Sequence, residues 1–231
     1  KGLTGNDATI DVQVAGQGGL PSSGISAVVM NLTATESQAP GFVTAYPTNV
    51  ARPTASVLNA SAAGQTSANL VIMPLGPDGK LRLYTLTSTH LLGDVMGYFT
   101  DGTAPVTTDG LFVPTAPTRV FDSRADQPVP GPKGFVGADS TVEFLAAGVG
   151  PIPADAAAVM FNITATQSAG PNFVTGWPTG LPIPLASLLN VGTGDTRPNA
   201  TILAPGTGQR VSLYTLAGAH LIADTFGYYL G

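Results

Sequence analysis

Cysteine is absent from all 231 residues, which excludes disulfide staples, thiol catalysis and thiolate metal sites. Charge is scarce as well. Asp, Glu, Lys and Arg together make up 10% of the chain, well under the quarter or so of an ordinary soluble domain. With a formal net charge of -5, a pI near 4.7 and no polybasic run, the chain lacks the electrostatic footprint that a nucleic acid or an anionic membrane surface requires. Neither is expected as a partner. No apolar run reaches the eighteen or so residues of a helical membrane span, and the stretch from Lys1 to Asp11 is not a signal peptide. An exported form would therefore already have lost its leader. Also missing is any sustained helical apolar period.

What the chain has instead is turn chemistry and apolar residues. Glycine supplies 29 positions and proline 20, while 43% of the residues are hydrophobic. Disorder goes with low hydrophobicity and high net charge, so this composition predicts a folded chain of short strands and many turns. At this length it holds either one large β domain or two ordinary ones.

An internal repeat decides between them. KGLTGNDATIDVQVAG, from Lys1, aligns with KGFVGADSTVEFLAAG, from Lys133, and AVVMNLTATESQAPGFVTAYPT with AVMFNITATQSAGPNFVTGWPT. ASVLN then matches ASLLN, GQTSANLVI matches GDTRPNATI, and LYTLTSTHLLGDVMGYF matches LYTLAGAHLIADTFGYY. Roughly 40 identities in 100 aligned positions with short gaps predict one fold used twice. The blocks alternate as half-buried strands do: Ile10, Val12 and Val14 with Thr9, Asp11 and Gln13, and Phe42, Thr44 and Tyr46 against Val43 and Ala45. Between them fall Gly-Pro, Pro-Asp-Gly and Gly-Pro-Lys-Gly turns. The expectation is all-β: two tandem antiparallel β-sandwich domains of the same fold, immunoglobulin-like or jelly-roll-like. Repeat one spans 1–102 and repeat two 111–231, with a linker at about 100–116, where TDGTAPVTTDG breaks the alternation.

The copies differ at their beginnings. LFVPTAPTRVFDSR, Leu111 to Arg124, precedes the second copy, and nothing like it precedes Lys1 in this sequence. An unfilled sheet edge is a pairing hazard. The first copy is therefore expected to be completed by an upstream segment, by Leu111 to Arg124 itself or by another chain, the last being self-association through an open strand edge.

In RVFDSR (Arg119 to Arg124), in NLTAT and NITAT, and in the closing HLLGDVMGYF and HLIADTFGYY, the chain resembles a repeat module of secreted and cell-surface actinobacterial proteins. That resemblance covers nearly the whole sequence. It implies export and a modular protein, the module being appended to extracellular domains or strung in arrays, and it supplies no activity, cofactor or site.

The residues themselves offer a few candidates. His90, Asp94 and Tyr98 recur as His220, Asp224 and Tyr228. On a strand, residues four apart share a face but sit about 13 Å from each other, so the histidine and aspartate of one motif do not pair directly. Without a G-x-S-x-G elbow, these six residues are read as a structural polar motif, bonded to strand ends or to Arg119 and Arg124, and no catalytic residue is assigned. Asp122 and Arg124, two apart on one face, are expected to form a buried ion pair. No loop gathers the acids of a calcium site, so no metal or cofactor is expected. The sequons at Asn31 and Asn162 lie inside strands, where a polar ladder position is favoured over glycosylation; Asn69 and Asn199 are expected to bond backbone. Tyr46 and Trp177 occupy one position in each copy, ahead of Pro-Thr, and with Asn59 and Asn190 they form the candidate ligand set: an aromatic face beside polar donors is how a surface holds a sugar ring. Three functions follow in order: a secreted non-catalytic module binding a polysaccharide or cell-wall glycan, a structural or self-assembling surface protein completed by strand donation, and an extracellular hydrolase using His90 or His220.

Overall fold

A computed structural model describes residues 2–231, nearly all as strands and turns. The chain divides into two compact units, Lys1–Pro105 and Val106–Gly231. Each is an antiparallel β-sandwich.

In the first unit the strands are β1 (Ala8–Gln13), β2 (Ile25–Thr35), β3 (Gly41–Pro47), β4 (Leu58–Ala60), β5 (Ser67–Pro74), β6 (Lys80–Thr85) and β7 (His90–Thr100). They form one sheet of order β1-β6-β3-β4 and another of order β5-β2-β7. The second unit has β8 (Phe112–Asp122), β9 (Ser140–Leu145), β10 (Ala158–Thr166), β11 (Asn172–Pro178), β12 (Leu189–Val191), β13 (Arg197–Leu203), β14 (Arg210–Thr215) and β15 (His220–Tyr229). Its sheets run β12-β11-β14-β9 and β13-β10-β15-β8. Strands β1 to β7 thus recur as β9 to β15 in the same order, and β8 has no counterpart among the described residues.

Local detail repeats with the topology. The register shift at Val29/Met30 of β2 against β7 returns at Met160/Phe161 of β10 against β15. Left-handed turns recur at Asp7 and Asp139, with φ of 48° and 52°, and at Glu36 and Gln167, with φ of 54° and 55°. Asp7 accepts a hydrogen bond from the Tyr84 hydroxyl at 2.6 Å, as Asp139 does from Tyr214 at 2.8 Å, so the same short side chain fixes the entry to β1 and to β9.

The cores differ where the sequences do. Val14, Val28, Met30, Leu32, Val43, Leu81 and Leu83 fill the first. In the second, Phe121 stacks on Phe144 at 5.0 Å and 12°, and Phe144 meets Phe161 edge-on at 5.7 Å. The first unit has Val12 and Met30 at the positions of Phe144 and Phe161.

Two boundary expectations are corrected. The linker assigned to about 100–116 overlaps β8, which begins at Phe112. The polar TDGTAPVTTDG run that breaks the alternation ends at Gly110, and Pro114 and Pro117 beyond it are accommodated because β8 is the outer strand of its sheet. Leu111 to Arg124 does not complete the first unit, because β8 pairs along β15 of its own unit.

Candidate functional site

The polar motif converges at the end of β8. Val120 and Phe121 are both buried, and Asp122 follows them fully enclosed. Its carboxylate accepts four hydrogen bonds: the Arg124 amide and Nε at 3.0 Å each on one oxygen, and Arg124 Nη2 at 2.6 Å with Arg119 Nη1 at 3.1 Å on the other. That occupies every lone-pair position the group has. Burial by itself would push this carboxyl's pKa up. Hydrogen bonds from the Arg124 side chain and amide, aided by the charges of both arginines, outweigh it and hold the group below the usual carboxylate range.

Arg119 also forks across the strand pair to Asp224, through Nε at 2.8 Å and Nη2 at 3.1 Å. Lys133 Nζ donates to the Asp122 carbonyl at 2.7 Å. Arg119, Asp122, Arg124 and Asp224 therefore form one continuous clamp between β8 and β15, with Lys133 tying in the segment that leads to β9.

His220 sits beside this clamp. Its Nδ1 lies 3.0 Å from Ser123 Oγ, and the Phe135 ring meets it edge-on. Ser123 Oγ accepts from the Leu221 amide at 3.0 Å, which leaves its own hydrogen to donate to Nδ1. A serine, a histidine and an aspartate are thus close in space, yet the arrangement is not a triad. Ser123 is buried and Asp122 is consumed by two guanidinium groups, so neither can serve an approaching substrate. His90, the equivalent histidine, instead places Nε2 at 3.7 Å from Glu36. Asp94 lies opposite Asn31 in the β2–β7 register, as Asp224 lies opposite Asn162. Tyr98 is exposed and Tyr228 partly covered. Among the described residues no group of three or more His, Asp or Glu side chains could hold a metal ion.

The aromatic set is not where the sequence put it. Tyr46 and Trp177 are both buried, at 6% and 9% exposure, and a ring that stacks on a sugar must offer a face to solvent. The alternation of β3 and β11 showed which residues share a face, but the segments that follow fold back and cover it. Trp177 Nε1 donates to the Leu181 carbonyl at 2.9 Å, and Thr175 Oγ1 to Ala186 at 2.9 Å. Asn59 and Asn190 lie opposite Phe42 and Phe173, four residues from Tyr46 and Trp177, roughly 13 Å along the strand. The four are not assembled into one site. Asn69 and Asn199 make equivalent bonds to the Val57 and Leu188 carbonyls, at 3.0 and 2.6 Å, and the sequon residue Asn31 is fully buried.

The region that sequence reasoning located only indirectly is the outer side of β7. Strand β15 is flanked by β10 and β8, whereas β7 pairs with β2 alone among the described residues. Equivalent side chains show the result. Val12 is 38% exposed and Phe144 1%; Leu92 is 49% exposed and Ile222 5%; Val95 is 42% exposed and Thr225 0%. Ile10 is likewise exposed where Val142 is buried. Ile10, Val12 and Val95 face the core, level with Leu83, Leu81 and Met30, while Leu92 lies on the other face of β7, level with Thr33; all four are open in the first unit and their equivalents are covered in the unit that has β8. The available signal was the pairing of Val12 with Phe144 in the repeat.

No protein-family model matches the chain, and no curated protein does. Among solved structures, the N-terminal CBM22-1-CBM22-2 tandem domain of Paenibacillus barcinonensis Xyn10C matches over 99% of this chain and 93% of that one, at 10% identity and a TM-score of 0.25. A likeness of that size carries no argument about ligand or activity.

Proposed function

We propose that the chain is a non-catalytic module of a secreted or cell-surface protein that works by β-strand addition, its first unit accepting an extended segment along β7. The observation that carries this is the exposure of Ile10, Val12, Leu92 and Val95 beside the unpaired edge of β7, at positions whose equivalents are buried in the unit that has β8. Main-chain ladder bonds supply affinity in this mode of recognition, and side-chain pockets supply selectivity.

Strand β7 has the sequence of an interior strand. Leu91, Leu92, Val95, Met96, Tyr98 and Phe99 place apolar groups on both faces, and neither lysine nor proline interrupts them. A strand meant for an edge is blunted, as β8 is by Pro114 and Pro117. Export is supported by the cysteine-free, lysine-poor composition and by the resemblance to surface-protein repeats. The glycan reading rested on exposed rings at Tyr46 and Trp177, and both are packed inside.

The test is amide hydrogen exchange on the full chain with and without a peptide of the Leu111 to Arg124 sequence. Addition of the peptide in excess is expected to slow exchange along β7 by about tenfold or more and to leave β15 unchanged. An unaltered β7, together with retention of the protein on insoluble polysaccharide, would overturn the reading.

A further inference from the structure

Resting on that reading, we infer that the β7 edge selects its occupant by two side chains, an aromatic ring set against β1 and an arginine set against Asp94. It then takes a segment of the β8 kind rather than any extended chain.

The second unit shows what each partner does. In the β8–β15 register Phe121 lies opposite Ala223 and Arg119 opposite Asp224. Phe121 is completely buried on Phe144, and Arg119 bonds Asp224 through two nitrogens. Carried to the first unit by the repeat, these positions become Gly93 and Val12 for the ring and Asp94 for the arginine. Val12 is smaller than Phe144 and Gly93 smaller than Ala223, so the open edge has room for an incoming aromatic ring. Asp94 keeps the carboxylate that a guanidinium fork fits.

Among the described residues the strand that could fill this edge is already in use. These hold one strand of the β8 kind and two edges that accept one, and β15 already uses it. Exchanging β8 between two copies of the chain would open one edge for every edge filled. The occupant is a segment carrying Arg-Val-Phe-Asp or its chemical equivalent. Its sequence in β8, from Leu111 to Arg124, has two arginines against one aspartate, a positive segment meeting a protein of net charge -5.

Fluorescence anisotropy with the labelled Leu111 to Arg124 peptide and the full-length chain tests this. Peptides with Arg119→Gln or Phe121→Ser are expected to bind at least about tenfold more weakly. On a chain with Asp94→Asn, the Arg119→Gln peptide should lose little further, because the two changes remove one interaction. Equal binding of all three peptides would overturn the two-residue selection and leave strand addition standing. Failure of every peptide to bind would remove both. A concentration-dependent dimer that excludes the peptide would place a second copy on the edge and overturn the inference.

Discussion

Asp122 shows how much one side chain decides in the second unit. Its carboxyl takes up a proton more readily in the unfolded chain than in the fold, so the unfolded state gains protons first as pH falls. The contribution is complete above about pH 4 and is lost as pH drops through the lowered folded value. Asp122→Asn is expected to destabilise the second unit by about 2 kcal/mol at pH 7, less than for a wholly buried pair because Arg119 and Arg124 are each about a third exposed. The same variant should flatten the acid side of the stability profile. Urea titrations at pH 7 and pH 3 followed on Trp177 read this, since the only tryptophan lies in that unit; an unchanged midpoint at pH 7 would contradict the clamp. The sequence made Arg119, Asp122 and Arg124 legible because a short charged motif stands out where charge is scarce. Ser123 and Lys133 were not, since their partners, His220 and the Asp122 carbonyl, are placed by folding. Tyr46 and Trp177 were misread for a related reason: period-two alternation assigns residues to faces but does not say what lies over each face.

At the level of the strand, β7 and β15 share a pattern and differ in their neighbours. The repeat made the strands and their order of recurrence readable, because an amphipathic period and a turn are local signals. It also marked the segment from Leu111 to Arg124 as the asymmetry. Which edge that segment fills depends on sheet order, a non-local property, and the polar TDGTAPVTTDG run just ahead of it blurred the strand's start. A matched pair of substitutions separates local pattern from context. Val95→Lys should cost under about 0.5 kcal/mol, since an exposed edge accepts a lysine and is even protected by one. Thr225→Lys, at the equivalent position, should cost roughly 3 kcal/mol or more. It buries a charge and removes the hydroxyl that donates to the Met160 carbonyl at 3.1 Å. Chemical denaturation of both variants checks the contrast; equal losses would mean that β7 is covered in solution. Val95→Lys should also weaken capture of the Leu111 to Arg124 peptide, because its ammonium group would stand in the strip the peptide covers.

Across the described residues, the two units are one fold with and without a strand beside its last, and their stabilities should differ accordingly. Ile10, Val12, Leu92 and Val95 each leave in water a good part of the side chain that their equivalents bury. At about 25 cal/mol per Å², that is roughly 0.5 to 1 kcal/mol apiece. The second unit adds the Phe121, Phe144 and Phe161 stack and the arginine clamp. Because each unit has its own core, calorimetry of the full chain should show two transitions, the first unit melting at least about 10 °C below the second. The assignment follows from perturbing one unit at a time. Asp122→Asn should lower only the upper transition, and the Leu111 to Arg124 peptide should raise only the lower one, by an amount that grows with its concentration as linkage requires. A single transition moved by both would contradict independent units. A lower transition indifferent to the peptide would show that the strip exposed beside β7 is not waiting for a strand. Raising the lower transition toward the upper would make the missing strand itself the main difference in stability between the two copies.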